Sequence, residues 1–222
     1  MIIYFLKWIM KDILIAWIAG SGKWTQARAL EKQLGEHLQY FEPGSILRAF
    51  TSNDNIVWDY AKTFTSEGRL LPDDFMKSVL GLVFASLHEW NRLLIDWFPR
   101  MYSQKKMFDN VMAENKRDFV IFHLDISEQE AQNRLLHRKI CSACGTTYST
   151  IVNAWITHCK EDGTELSTRV DDQSVEAINE RFKLYHTETA PILAEYETAG
   201  KIVKIDGTKS IDEITNVILQ HI

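Results

Sequence analysis

Asp12-Ile13-Leu14-Ile15-Ala16-Trp17-Ile18-Ala19-Gly20-Ser21-Gly22-Lys23-Trp24-Thr25 runs straight into Gln26-Ala27-Arg28-Ala29-Leu30-Glu31-Lys32-Gln33-Leu34 and stops at Gly35. Residues 12–16 form a short apolar run with β-branched members, which reads as a buried strand. Residues 26–34 carry a helical pattern, and Gly35 supplies its stop. Between strand and helix, Gly20, Gly22 and Lys23 fit the core of the loop pattern Gly-x-x-x-x-Gly-Lys-[Ser/Thr]. Successive backbone N–H groups turn inward around a phosphate only where φ is unrestricted, which is the property of Gly. The following helix adds its own free N–H groups and positive dipole end. On this pattern Gly20, Ser21 and Gly22 cradle phosphate, Lys23 reaches the outer phosphates, and Thr25 holds Mg²⁺. Two positions conflict with it. Trp17 stands where the pattern has its first Gly, and Trp24 separates Lys23 from the hydroxyl residue.

The rest of the chain extends the alternation. Leu93-Leu94-Ile95 reads as a buried strand ending at Asp96, and Phe119–Asp125 as another, followed by a helix capped by Ser127 with Glu130 three residues on. Residues 45–90 look mainly helical, with apolar positions at helical spacing from Phe75 to Leu87. A long amphipathic helix is expected over about 174–199, a last strand over 201–206 and a last helix over 211–221. Strands alternating with helices predict an α/β fold with a parallel sheet covered on both faces. Residues 140–168 break the pattern and read as a small inserted subdomain.

Composition fits one soluble domain with an insert: 222 residues, 45% hydrophobic, 25% charged. A net charge of -5 excludes a broad nucleic-acid or membrane surface while leaving room for a local basic pocket. The apolar start, Met1–Met10, is too short to span a membrane and lacks the basic region and cleavage site of a signal peptide. Residues 1–9 read as an extension or a mis-assigned start. Three Cys are too few for a disulfide scaffold and suit reduced thiols in a cytoplasmic setting. Cys141-x-x-Cys144 and Cys159-x-x-Asp162 form two pairs, each followed by Gly, and three thiolates with one carboxylate suit tetrahedral Zn²⁺. His158 is the rival fourth ligand.

Taken together, the chain from about Asp12 to Ile222 resembles adenylate kinase, the nucleoside monophosphate kinase family with a zinc-bearing lid. The resemblance rests on motifs in order: Gly20-Ser21-Gly22-Lys23-x-Thr25-Gln26-Ala27, Gly44-Ser45-Ile46-Leu47-Arg48-Ala49, Glu67-Gly68-Arg69-Leu70-Leu71-Pro72-Asp73, Asp96-Trp97-Phe98-Pro99-Arg100 with Gln104, Arg134-Leu135-Leu136-His137-Arg138, Thr168-Arg169-Val170-Asp171-Asp172 with Arg181, Tyr185–Pro191, and Asp206-Gly207-Thr208-Lys209. It implies a P-loop kinase with a parallel five-stranded sheet flanked by helices. The core is expected over 10–139 and 169–222, with an AMP-binding flap at about 40–70 and a lid at 140–168.

The resemblance also implies ATP and AMP as substrates. ATP would meet Gly20, Ser21, Gly22, Lys23, Thr25, Arg134, Arg138 and Lys209. AMP would meet Gly44, Arg48, Arg69, Leu70, Leu71, Trp97, Arg100 and Gln104, with Gln104 reading adenine. Lys23, Arg100, Arg138, Arg169 and Arg181 would surround the transferring group, and Thr25 and Asp96 would serve Mg²⁺. Structural Zn²⁺ would sit on Cys141, Cys144, Cys159 and Asp162, since family lids carry four Cys or three Cys and one Asp. A cytoplasmic monomer that binds neither nucleic acid nor membrane is expected. The alternatives are a kinase for another monophosphate (CMP or UMP), or a non-catalytic nucleotide- or zinc-binding protein.

Several residues depart from the family pattern. Pro43 replaces Thr, Ser45 replaces Asp, Met101 replaces Thr, and one extra residue separates Asp172 from Arg181. Trp17, Trp24 and Trp97 all stand where the family has Gly, so each indole is expected to block ligand or strain the backbone. Gly would also suit Trp155, in a polar lid turn, and Trp90, at a helix C-cap. The chain has 10 Gly and 7 Trp, whereas an ordinary share of about 7% Gly would give roughly 15–16. One reading joins the two counts: the codons at these positions are UGA, decoded as glycine in the source. UGG at codons 17, 24 and 97 would defeat it.

Overall fold

The computed structural model describes residues 11–16, 18–43, 46, 55–65, 71–88, 90–96, 98–169 and 172–222. Five parallel strands form the central sheet: β1 (Lys11–Ala16), β2 (Leu38–Phe41), β3 (Arg92–Asp96), β4 (Asp118–Asp125) and β8 (Ile202–Asp206), in the order β2-β3-β1-β4-β8. Helices α1 (Lys23–Leu34), α2 (Ile56–Thr65), α3 (Asp73–Ser86), α4 (Tyr102–Glu114), α5 (Glu128–Leu136), α6 (Val175–Leu184), α7 (Ala190–Thr198) and α8 (Ile211–Gln220) flank it. The expected five-stranded parallel α/β fold is present. Reading apolar runs along the chain finds only four of these strands. The fifth, Leu38-Gln39-Tyr40-Phe41, is a four-residue edge strand buried only at its two ends, too short to announce itself beside Gly35 and Pro43.

The central strands read as apolar runs because both faces are covered. Ile13, Leu14 and Ile15 on β1, Leu93, Leu94 and Ile95 on β3, and Ile121, Phe122 and Leu124 on β4 are all buried. Ile13 pairs with Leu94 on one side and Val120 on the other. Two buried polar side chains tie the core together. Asp12, 1% exposed, takes two 2.6 Å bonds from the Arg117 guanidinium and one of 2.7 Å from Leu93 N–H. Gln26 of α1 donates to Ile211 O and accepts from Thr215 Oγ1 (2.9 Å), tying the phosphate-loop helix to α8.

The helix expected over about 174–199 is present, as α6 and α7 running continuously through a π-helical turn, Tyr185–Thr189. Pro191 follows that turn directly. It has no N–H to give to the preceding turn, and a wider turn relieves the clash its ring would make. Ser127 caps α5 as expected, accepting Glu130 N–H at 3.1 Å. Trp90 is not a helix C-cap: α3 ends at Ser86 with Leu87 as its cap, and Trp90 lies in the turn beyond.

The insert is a three-stranded antiparallel sheet of β5 (Arg138–Cys141), β6 (Thr147–Ser149) and β7 (Leu166–Ser167), in the order β6-β5-β7. Its first strand begins at Arg138, so Arg138 sits on the strand leaving α5 and not on the helix end. No helix among the described residues is long and apolar enough to cross a membrane.

Candidate active site

The loop leaving β1 has the backbone that the sequence demands. Gly20 and Gly22 have φ of 90° and 96°, where side chains are strained. A Cβ at Gly20 would also fall 2.6 Å from Ala131 O of α5. Gly22 is the N-cap residue of α1, with no side-chain cap and no acidic residue in the first turn, so the free N–H groups there face no built-in anion. Lys23 is buried and donates from Nζ to Ile18 O at 3.2 Å, folding its side chain back over the loop. Burial pushes its ammonium down to about 8, while Asp96 pulls the other way. Thr25, half-buried, is the third residue of α1.

Asp96 closes β3 at the same end of the sheet. It is 8% exposed. Oδ2 accepts from Tyr40 Oη at 2.9 Å, and Oδ1 is buried with no hydrogen-bond partner among the described residues. Burial raises its carboxyl; Lys23 and the tyrosine bond oppose that. It is not a helix N-cap, because α4 is capped at Met101. A buried carboxylate oxygen left without a protein donor has the chemistry to take a cation or its water.

Arginines gather beside this carboxylate and Lys23: Arg100 acts on Asp96, Arg100, Arg138 and Arg181 act on Lys23, and Arg169 acts on Arg100 and Arg138. Arg100 also feels Asp96, Glu42 and Arg181. Burial lowers Arg100 to about 10. Its backbone is gripped on both sides: its N–H donates to Gln104 Oε1 (2.9 Å), and its carbonyl accepts from Thr189 Oγ1 (3.1 Å) in the π-turn. Because a backbone N–H only donates, Oε1 must face it. Gln104, buried at 4% exposure, therefore keeps the donor end of its amide for another partner. Arg138 and Arg181 share Asp172, whose side chain is wholly buried: Arg138 Nε donates to Oδ2 (2.8 Å) and Arg181 Nη1 to Oδ1 (2.6 Å). Arg134 donates to Gly207 O at 3.1 Å, which brings the α5 end against the loop that carries Lys209.

Gly44, Arg48, Arg69, Leu70, Trp97 and Trp17 lie outside the described residues; Leu71 is described and buried. Trp24 corrects one expectation. It lies within α1, a conformation open to any residue, so the backbone at 24 does not demand glycine and only the bulk of the indole counts against it. The Arg28 guanidinium lies 5.3 Å from its ring. Reading the sequence missed Tyr40, Asp172 and Thr189. The Asp171-Asp172 doublet beside Arg169 was the one local signal; the other two reach the site only through register and the π-turn.

In the insert, ligand atoms of Cys141, Cys144, Cys159 and Asp162 all lie within 4.8 Å of one another. The Sγ atoms of Cys144 and Cys159 are 3.6 Å apart. With Zn–S bonds near 2.3 Å, two thiolates on one tetrahedron lie about 3.8 Å apart, so the donor set fits zinc. Each pair forms the same turn. Gly145 N–H returns to Cys141 O and Gly163 N–H to Cys159 O, both at 3.0 Å, and both glycines have φ of 75°. The Thr164 N–H holds the Asp162 carboxyl far below the usual carboxylate range, in its ligating form. His158 is no rival: it is exposed, and its Nδ1 lies 2.9 Å from Thr157 Oγ1.

A glycine loop feeding a helix N-terminus, with a lysine, an acidic strand end and converging arginines, defines a phosphotransferase on a P-loop fold. The family model of adenylate kinase matches residues 16–201. Adenylate kinase of Staphylococcus epidermidis is 29% identical over 211 residues, 94% of this chain and 97% of that protein. That of Petrotoga mobilis is 31% identical over 199 residues, 88% and 90% of the two chains, and that of Staphylococcus aureus 28% over 211 residues. The chain belongs to the adenylate kinase family, and it is a phosphotransferase of the nucleoside monophosphate kinase class.

Proposed function

We propose that the protein catalyses reversible phosphoryl transfer from ATP to AMP, giving two ADP, in the presence of Mg²⁺. The observation that carries this reading is one mutually interacting group of cations, Lys23, Arg100, Arg138, Arg169 and Arg181, of which Lys23 and Arg100 act on Asp96. A phosphate oxygen of AMP would attack the γ-phosphorus in line. The bond from that phosphorus to the bridging oxygen breaks, and ADP leaves with the bond's electrons. The acceptor is already anionic, so no general base is required; positioning and charge neutralisation supply the rate. The α1 N-terminus and Lys23 would hold the donor's phosphates. Arg100, fixed by Gln104 and Thr189, would hold the acceptor phosphate. Arg138 and Arg181 would turn from Asp172 toward the transferring group. Thr25 and Asp96 would hold Mg²⁺, which supplies charge neutralisation between the outer phosphates when bound.

Residues 140–168 would act as a lid excluding water, stapled by zinc that takes no part in the chemistry, and residues about 40–70 as the flap over AMP. Arg134, Arg138 and Lys209 would border ATP. Arg48 would bind the AMP phosphate, Gly44, Arg69, Leu70 and Leu71 would line the AMP pocket, and residue 97 would pass against the nucleotide. A reducing, cytoplasmic setting suits the three free thiols. Pro43, standing where the family has Thr, favours a second reading as a CMP or UMP kinase, and Gln104 counts against it.

A coupled assay of ADP formation with AMP, CMP, UMP and GMP tests both, on the chain as it stands and on Trp17→Gly/Trp24→Gly/Trp97→Gly. The glycine-bearing chain is expected to turn over AMP fastest and to exceed the tryptophan chain by roughly 100-fold, the order of effect of a misplaced reacting group. Turnover of no monophosphate by either chain would refute the reaction and favour a non-catalytic binding protein.

A further inference from the structure

We infer that Tyr40 is a positioning residue for the Mg²⁺ shell, acting through Asp96. The inference rests on the reading of this site as a Mg-nucleotide kinase centre, and it adds a residue which no motif in the chain points to. Tyr40 lies on β2, the edge strand, at a position paired with Leu94 of β3. Its ring stands toward the C-terminal end of the sheet, and its Oη donates to Asp96 Oδ2 at 2.9 Å. The other carboxylate oxygen, Oδ1, is buried with no hydrogen-bond partner among the described residues. The two oxygens are thus given different tasks. One is tied to the scaffold, and the other is left for the metal's water.

The tie has force because Asp96 has few other restraints. Its neighbours Lys23, Glu42 and Arg100 act on it through charge, which attracts or repels without fixing the rotation of a carboxylate. A phenol O–H at hydrogen-bond distance is directional and does fix it. The donor is itself held: the Arg28 guanidinium lies 5.6 Å from the centre of the Tyr40 ring, and Arg28 is anchored to Glu31 at 2.6 Å. The chain of support therefore runs from α1, whose N-terminus is the phosphate site, through Arg28 and Tyr40 to Asp96. Outer-shell partners of this kind change metal affinity about 10- to 100-fold when removed.

The test uses the full chain with Gly at 17, 24 and 97. ATP affinity is measured calorimetrically with Mg²⁺ and with excess chelator, and the ratio of the two is the gain due to metal. Tyr40→Phe removes only the hydroxyl. The expected result is a gain cut about tenfold, with affinity for metal-free ATP changed less than about twofold. Asp96→Asn should abolish most of the gain, and adding Tyr40→Phe to it should change nothing more. An unchanged gain in Tyr40→Phe would overturn the inference. So would an equal loss of both affinities accompanied by a lowered melting temperature, which is the mark of a purely structural tie between strands. An undiminished effect of Tyr40→Phe in the Asp96→Asn background would also overturn it. If the parent binds MgATP with a metal gain yet transfers no phosphoryl group to any monophosphate, the reaction proposed above falls and the role of Tyr40 is still decided by binding.

Discussion

The mouth of the parallel sheet and the inserted sheet both gather charged or metal-binding groups, but they hold them by different means. At the mouth, Lys23 and Asp96 sit on elements anchored in a core that runs through all five strands and most helices. Packing fixes the backbone, and the side chains need only short bonds such as Tyr40 to Asp96 or Arg181 to Asp172. In the insert, Cys141, Cys159 and Leu166 are the buried apolar residues, with Tyr148 and Ile156 packed against them. So small a core contributes little, and small units of this kind are ordinarily stapled by metal or disulfide. Glycines at positive φ serve opposite ends in the two regions. Gly20 and Gly22 free backbone N–H groups for a ligand, whereas Gly145 and Gly163 close knuckles that aim side chains at a metal.

The comparison can be broken most sharply at Lys23. In the glycine-bearing chain, Lys23→Met should lower turnover by about 10²–10³. It should not lower the melting temperature, because the ammonium it removes is buried and held down to about 8. A large loss of stability would show that the lysine is structural.

The insert should behave in the opposite way. Elemental analysis should find one zinc per chain, and a strong chelator should lower the melting temperature by roughly 5 °C or more. Cys144→Ser should reproduce that fall. A metal-free protein indifferent to chelator would mean that hydrogen bonds alone hold the insert.

The smallest effect concerns the core's response to acid. His123 on β4 is pushed down to about 4, chiefly by burial and then by Lys204, with Glu197 opposing. The folded state therefore resists a proton that the unfolded chain accepts near 6.5. Stability tied to His123 is full above that value and is lost as pH falls toward 4. His123→Gln should flatten the acid side of a stability curve measured by urea melts between pH 7 and 4. An identical slope in both proteins would place the acid sensitivity elsewhere.

Residues 12–35 announced their strand, loop and helix because each signal there is local: an apolar run, glycines where φ must be positive, and a glycine stop. The Cys141-x-x-Cys144 and Cys159-x-x-Asp162 pairs were legible for the same reason, since each knuckle is built within six residues. The failures were of another kind. The strand Leu38–Phe41 is defined by its pairing with β3, the π-helical turn inside the expected helix has no local signal beyond Pro191, and His158 was set aside by where its ring lies.

By itself the sequence determined which residues carry charge, where the backbone can bend toward phosphate, and that two cysteine-bearing turns exist. Only the tertiary structure decided which of those charges meet. It laid Tyr40 beside Asp96 across two strands, gave Arg138 and Arg181 one buried aspartate, and brought Arg134 to the loop of Gly207. Local geometry depends on neighbours in the chain, so it can be read from their order. The partner of a buried charge depends on strand register and helix packing, which set distances between residues dozens of positions apart.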